Sequence, residues 1–402
     1  MSKPTPILIL SDAPTAPTGL GRITRDLAIR IAEQMPDTFR VATLGYGGAG
    51  SRSLPFQQYF IYDMQDWVVK NLPDVWRDFA GAEKGILLCI WDASRLLWLS
   101  QPETYCRDPK LKEFLATKPF ELWTYSAIDA TGPNDKLSVL LREVFKGFDR
   151  ILAYSEWSAR IIERTLGDGK TIPSLPHGID TSVFRPIWRE KARKKFGESM
   201  FGDSKFTLPD SALVIGIVAT NQKRKDWGTA IEAAALLAKT HDIRLWIHTD
   251  TPEREWSLSA LLYDYDLQNK TVLQHGNVLS DEQMKWGYSA CDVTWGIGLG
   301  EGFGYPIFES MACGVPCIHG NYAGAAEYIP KIPGAPALKI KPMAYRMEGH
   351  FGCVRPVYHA QQWADATEQV ISVIWSISVP PEIDWNNLWP RFQEWLSEGI
   401  HA

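Results

Sequence analysis

Hydrophobic positions in this chain come in short blocks, and their spacing alternates between two periods. The block 6–10 is continuously apolar and predicts a buried strand. A loop bearing proline and glycine follows over 11–21. The segment 22–34 then sets Ile23, Leu27, Ala28 and Ile31 on one face at a helical period. Apolar blocks at 39–44, 85–91, 121–126 and 150–155 predict further strands, the last feeding a helix over 156–166. Apolar strands separated by helices point to a parallel sheet covered on both faces.

The pattern breaks near residue 180. The stretch 173–186 is rich in turn formers, and 188–210 is charged and contains glycine; together they predict a domain boundary and linker. The alternation then restarts. Strands are predicted at 212–219, 243–249, 271–276, 291–295 and 315–319, with helices at 227–240, 281–290 and 306–313 among them. The segment 330–356 carries little periodicity. Helices are predicted at 360–373 and, rich in tryptophan, at 385–397. The resulting fold class is α/β, with two Rossmann-like domains at 1–182 and 183–375. A helical segment, 376–402, is expected to pack back across the first domain. Such sheets bind ligands beyond the carboxyl ends of their strands, which predicts a site in a cleft between two facing domains.

Composition narrows the function. A length of 402 residues exceeds one hydrophobic core and fits two. With 45% hydrophobic and 22% charged residues, wholesale disorder is excluded. Lys and Arg number 42 against 47 Asp and Glu, a formal charge of −5 with no basic block, so no stable nucleic-acid complex is expected. The run 7–10 is too short for a signal-peptide core, and no apolar stretch is long enough for a transmembrane segment. A cytoplasmic protein is expected. Cysteines at 89, 106, 291, 313, 317 and 353 are irregularly spaced, which argues against a disulfide framework. Cys313 and Cys317 are separated by a glycine and a proline and have no second Cys pair beside them, so no zinc site is expected. Seventeen tryptophans suit core and domain-interface packing, with a membrane-surface or sugar-stacking role for a few as the other readings.

Three segments carry candidate chemistry. Gly19 and Gly21 sit between the first strand and first helix, where exposed amides suit an anion, although the segment is not a GxGxxG fingerprint. A plain tight turn is the other reading. Lys223, Arg224 and Lys225 follow the first strand of the second half; they suit a diphosphate or a solvated loop. The third is sharper: 298–316 reads GLGEGFGYPIFESMACGVP. Its glycines let amides approach a ligand, Pro306 can start a helix, and Glu301 and Glu309 are two carboxylates suited to paired hydroxyls.

This third segment resembles the retaining nucleotide-sugar glycosyltransferases of the two-Rossmann-domain (GT-B) type, family 4. The acid pair Glu301 and Glu309, the continuation through Cys317 and Ile318, and the later Gly324 to Glu327 carry the resemblance. The segment 176–180 is similar to the family's interdomain segment, 352–356 to a further segment, and the C-terminal helix to its crossing helix.

The resemblance implies roles for these residues. Glu309 would bind ribose hydroxyls and Glu301 the transferred sugar. Gly302, Phe303 and Gly304 would supply amides near the sugar or diphosphate. Lys225, helped by Arg224, would hold the diphosphate, and Gly19 and Gly21 would line the first-domain side. Two positions depart from the family. Thr220 and Ala219 stand where it has an arginine, and no histidine precedes His177. Asp129, after the strand ending at Ser126, is the candidate replacement, with a purely structural role as the alternative; Asp92 is a weaker candidate. His177 and Asp180 are expected to serve as hinge or cap.

The implied reaction is retaining transfer of a sugar from a UDP- or GDP-sugar to an acceptor hydroxyl. It needs neither metal nor cofactor, and attack comes on the face the diphosphate leaves. The acceptor is unspecified, a modified nucleic-acid base included. The alternatives are a sugar-nucleotide-binding or assembly protein without turnover, and an epimerase-type enzyme on the same scaffold.

Overall fold

The computed structural model describes residues 3–48, 53–276, 278–329, 338–349, 351–373 and 376–401. The chain divides into two compact units. One comprises Met1–Leu175, Gly349–Cys353 and Pro390–Ala402, and the other Pro176–Glu348 and Val354–Trp389.

The first unit is built on six parallel strands: β1 (Thr5–Asp12), β2 (Phe39–Tyr46), β3 (Gln57–Phe60), β4 (Gly85–Cys89), β5 (Phe120–Ser126) and β6 (Arg150–Ala153), in the order β3-β2-β1-β4-β5-β6. Ile7 to Leu10 are wholly buried because helices cover both faces of the sheet. The helix α1 (Gly19–Gln34) starts three residues earlier than the periodicity predicts, because Thr18 caps it. The Thr18 hydroxyl accepts from the Gly21 N–H at 2.9 Å and donates to Asp12 Oδ2 at 2.7 Å. Gly21 therefore lies inside the first turn, and a Cβ there would sit 2.6 Å from the carbonyls of Ala13 and Ala16. The end of the C-terminal helix belongs to this unit. Trp395 meets Trp123 edge-on at 5.2 Å, and Phe392 meets Tyr125 at 5.4 Å.

The second unit repeats the plan with β7 (Leu213–Val218), β8 (Ile243–Thr249), β9 (Thr271–His275), β10 (Val293–Gly296), β11 (Cys317–Gly320) and β12 (Lys339–Ile340). All are parallel, in the order β9-β8-β7-β10-β11-β12. Numbered within each unit, both sheets have the 3-2-1-4-5-6 order of dinucleotide-binding folds.

Three details differ from the sequence reading. The expected linker at 188–210 holds two short helices of the second unit, Arg189–Lys194 and Phe196–Phe201. They are anchored by Arg193, which is wholly buried. Its guanidinium pairs with Asp292 at 2.6 Å and donates to the carbonyls of Ala290, Pro209 and Asp210. Within a stretch read as a linker, this one arginine is buried with its donors satisfied, while Arg189, Lys194 and Lys195 around it stay exposed. The units divide after Leu175, and again at Pro390 within the helix Trp385–His401. The aperiodic segment 330–356 contains an antiparallel ribbon, Ala344–Glu348 with Cys353–Val357; residues 330–337 and 350 lie outside the described ones.

Most tryptophan is structural. Trp76, Trp91, Trp123, Trp227, Trp246, Trp295 and Trp363 are among the largest fully buried side chains. Among the described residues no helix is long and apolar enough to cross a membrane.

Candidate functional site

In the second unit β7 and β10 are neighbours where the strand order reverses, the position at which open parallel sheets bind ligands. The loops leaving their carboxyl ends are laced together. Lys225 and Gly298 form an antiparallel bridge. The Leu299 N–H donates to the Arg224 carbonyl at 2.9 Å, and the Asp226 N–H to the Ile297 carbonyl at 3.0 Å. The basic loop and the glycine loop, distant in sequence, thus form one strip.

That strip brings three predicted residues into contact. Glu301 pairs with Lys225 and, at 3.3 Å, with Arg224, whose guanidinium also donates to the Gly300 carbonyl at 3.0 Å. Burial by itself would raise the Glu301 carboxyl. The Lys225 ammonium and Arg224 guanidinium outweigh it and hold the acid well below the usual carboxylate range. A Cβ at Gly298 would overlap Glu301 Oε1, so only glycine lets the carboxylate lie along the strip.

Gly302 and Phe303 continue the loop, and Gly304, at φ 85°, turns it into α2 (Tyr305–Ala312), with Pro306 in the first turn. The Glu301 carbonyl accepts from the Ala325 N–H at 3.1 Å, tying the loop to the next helix. The Phe303 ring is buried against Phe308 at 4.8 Å and His177 at 5.0 Å, and His177 stacks on Tyr305 at 5.3 Å. His177 is thus a packing residue beneath this loop. Glu309 projects from α2 and is 3% exposed; Tyr288 Oη donates to its Oε2 at 2.7 Å.

In the first unit Asp129 follows β5 and is half-buried. Gly19 is exposed, and the close backbone approach that demands glycine at Gly21 is to its own loop. Asp92 pairs with Arg95 at 3.2 Å, and Trp91 Nε1 donates to Asp12 Oδ1 at 2.9 Å.

The sequence reading missed two side chains of the second unit. Tyr288, on the helix Asp281–Ser289, reads as a core aromatic, and only the fold sets its hydroxyl on Glu309. His319, at the end of β11, reads as part of a strand, yet its Nδ1 lies 2.6 Å from the Gly296 carbonyl of β10. A polar residue closing an apolar strand at the ligand-facing edge was the available signal. Among the described residues no group of three or more His, Cys, Asp or Glu is placed to hold a metal ion.

Comparison with known proteins bears on the same unit. Residues 211–372 match the family described as glycosyl transferases group 1. A D-inositol 3-phosphate glycosyltransferase from Pseudarthrobacter chlorophenolicus is 27% identical over 230 residues, 56% of this chain and 48% of the relative. A GDP-mannose-dependent monoacylated alpha-(1-6)-phosphatidylinositol monomannoside mannosyltransferase from Corynebacterium glutamicum is 30% identical over 205 residues, 48% of this chain and 50% of the relative. The chain spans about half the length of the curated relatives it matches. Solved structures extend the likeness in fold. Sucrose-phosphate synthase from Thermosynechococcus elongatus superposes with a TM-score of 0.70 at 14% identity, over 99% of this chain and 100% of that one. The Anabaena HepE protein in complex with UDP-glucose gives 0.70 at 15% identity, over 98% and 100%. With two Rossmann-like units, an acid–cation strip at the second unit's switch point and a group 1 match over 211–372, the chain is related to the GT-B nucleotide-sugar glycosyltransferases of family 4.

Proposed function

We propose that the protein is a retaining glycosyltransferase that moves a sugar from a UDP- or GDP-sugar to an acceptor hydroxyl. The observation that carries the reading is the strip in which Lys225 and Arg224 lie on Glu301 at the switch point of the second sheet. Two cations held by one carboxylate have charge to share with an arriving diphosphate, and the loop amides at 302–304 add donors. Glu309, carried on α2, is assigned to the ribose hydroxyls. In the reaction the bond from the anomeric carbon to the phosphate oxygen breaks with its electron pair going to phosphate. The acceptor oxygen bonds to that carbon on the same face, and its proton passes to the departing phosphate. The cations neutralise the leaving group without a metal. Asp129 is the first unit's candidate for orienting the acceptor or easing positive charge on the sugar. Nucleotide-sugar chemistry and six free thiols fit a cytoplasmic location.

The test is release of UDP or GDP from a panel of nucleotide sugars, alone and with hydroxyl acceptors. Release coupled to a glycoside of unchanged anomeric configuration is expected, and Asp129→Asn is expected to slow it about 10²-fold while donor binding holds. Binding without release would mark a sugar-nucleotide-binding protein, and an isomerised nucleotide sugar an epimerase-type enzyme.

A further inference from the structure

His319 is wholly buried at the carboxyl end of β11, paired in register with Gly296 of β10. Its Nδ1 lies 2.6 Å from the Gly296 carbonyl. A carbonyl only accepts, so Nδ1 carries the proton. Burial disfavours a second proton and holds the imidazole below its usual pKa, against weaker opposing contributions from the Gly296 hydrogen bond and Glu301. Nε2 is therefore a bare acceptor on the far side of the ring from the β10 carbonyl. It is covered from solvent and has no hydrogen-bond partner among the described residues. Glu301 and Lys225 lie within electrostatic reach of the ring. Glu301, held ionised, offers it no proton, and Lys225 is engaged with Glu301.

A buried acceptor left unmatched is costly, and such groups in native proteins are matched by a ligand or water. The chemistry of Nε2 selects the partner. Phosphate oxygens are acceptors and have nothing to donate to it. A sugar hydroxyl can donate.

Resting on the glycosyltransferase reading above, we propose that His319 is a specificity-determining residue whose Nε2 accepts a hydrogen bond from a hydroxyl of the transferred sugar, beside Glu301. The side chain then discriminates a nucleoside diphosphate sugar from the bare nucleoside diphosphate. Glu309, on the separate α2 helix and hydrogen-bonded by Tyr288 from the helix Asp281–Ser289, serves the nucleoside half.

The experiment is calorimetry on the full chain with UDP, GDP, UDP-glucose and GDP-mannose, comparing wild type with His319→Asn. Asparagine can keep a donor to the Gly296 carbonyl and lacks the outer acceptor. Affinity for the nucleotide sugar that wild type prefers is expected to fall roughly tenfold, the scale of one lost hydrogen bond, with affinity for its nucleoside diphosphate unchanged. Equal losses for both ligands, or no loss for either, would overturn the proposal. A second measurement needs no variant. In wild type labelled with 15N-histidine, the His319 Nε2 resonance is expected to move when the nucleotide sugar binds and to stay in place with the nucleoside diphosphate alone. A resonance that responds identically to both overturns the assignment even if His319→Asn fails to fold. Wild type that binds no nucleotide at all would instead remove the glycosyltransferase reading beneath it.

Discussion

Glu301 and Lys225 are both nearly covered, with side chains 14% and 11% exposed, and the Lys225 ammonium helps keep the Glu301 carboxylate ionised there. The folded-state carboxyl sits below the ordinary glutamate value of about 4.3. Its contribution to stability is therefore complete above that value and is lost as pH falls toward the folded one. Glu301→Gln is expected to flatten the acid dependence of the melting temperature between about pH 5 and 3. At neutral pH it should cost about 3 kcal/mol, because Lys225 is left without its counter-charge. Thermal melts of both proteins across that range check this; a variant as acid-sensitive as wild type would clear Glu301 of the role. The acid and the cations were each legible in the sequence. Their pairing was not, because 76 residues separate Lys225 from Glu301.

Helices and strands explain why that contact can form. β7 and β10 run side by side, so the loops from their carboxyl ends start close together and need only two backbone hydrogen bonds to become a strip. The glycine loop is shaped by sterics as much as by flexibility. Gly298→Ala would drive a methyl into the Glu301 carboxylate and push it off the cations. A loss of about 1–3 kcal/mol in denaturant unfolding is expected, together with weaker UDP or GDP binding. Unchanged stability and affinity would show that the loop can yield. Elsewhere the element reading failed for an identifiable reason. Charge and glycine at 188–210 were taken as a linker, whereas Arg193 is buried there, with acceptors at Pro209 and Asp210 and, about a hundred residues on, at Ala290 and Asp292. Local composition cannot distinguish a solvated arginine from a satisfied one.

For the molecule as a whole, the reading predicts chemistry that runs on side-chain cations. Sugar transfer, or hydrolysis of the donor, is expected to proceed at an unchanged rate in excess EDTA, since Lys225 and Arg224 can stabilise the leaving diphosphate. Loss of the rate in chelator, with recovery on adding magnesium or manganese, would refute this. The sequence by itself determined two α/β units, the β1–loop–α1 opening of the first, the glycine loop with its paired acids, and the helix that follows it. These rest on local periodicity, turn chemistry and residue type, all encoded within about twenty residues of chain. Strand order, the division of the units at Leu175 and Pro390, the burial of Arg193, and the settings of Tyr288 and His319 were decided only by the tertiary structure. Each depends on which distant segments become neighbours. A parallel sheet fixes that through non-local packing that no short window of sequence contains.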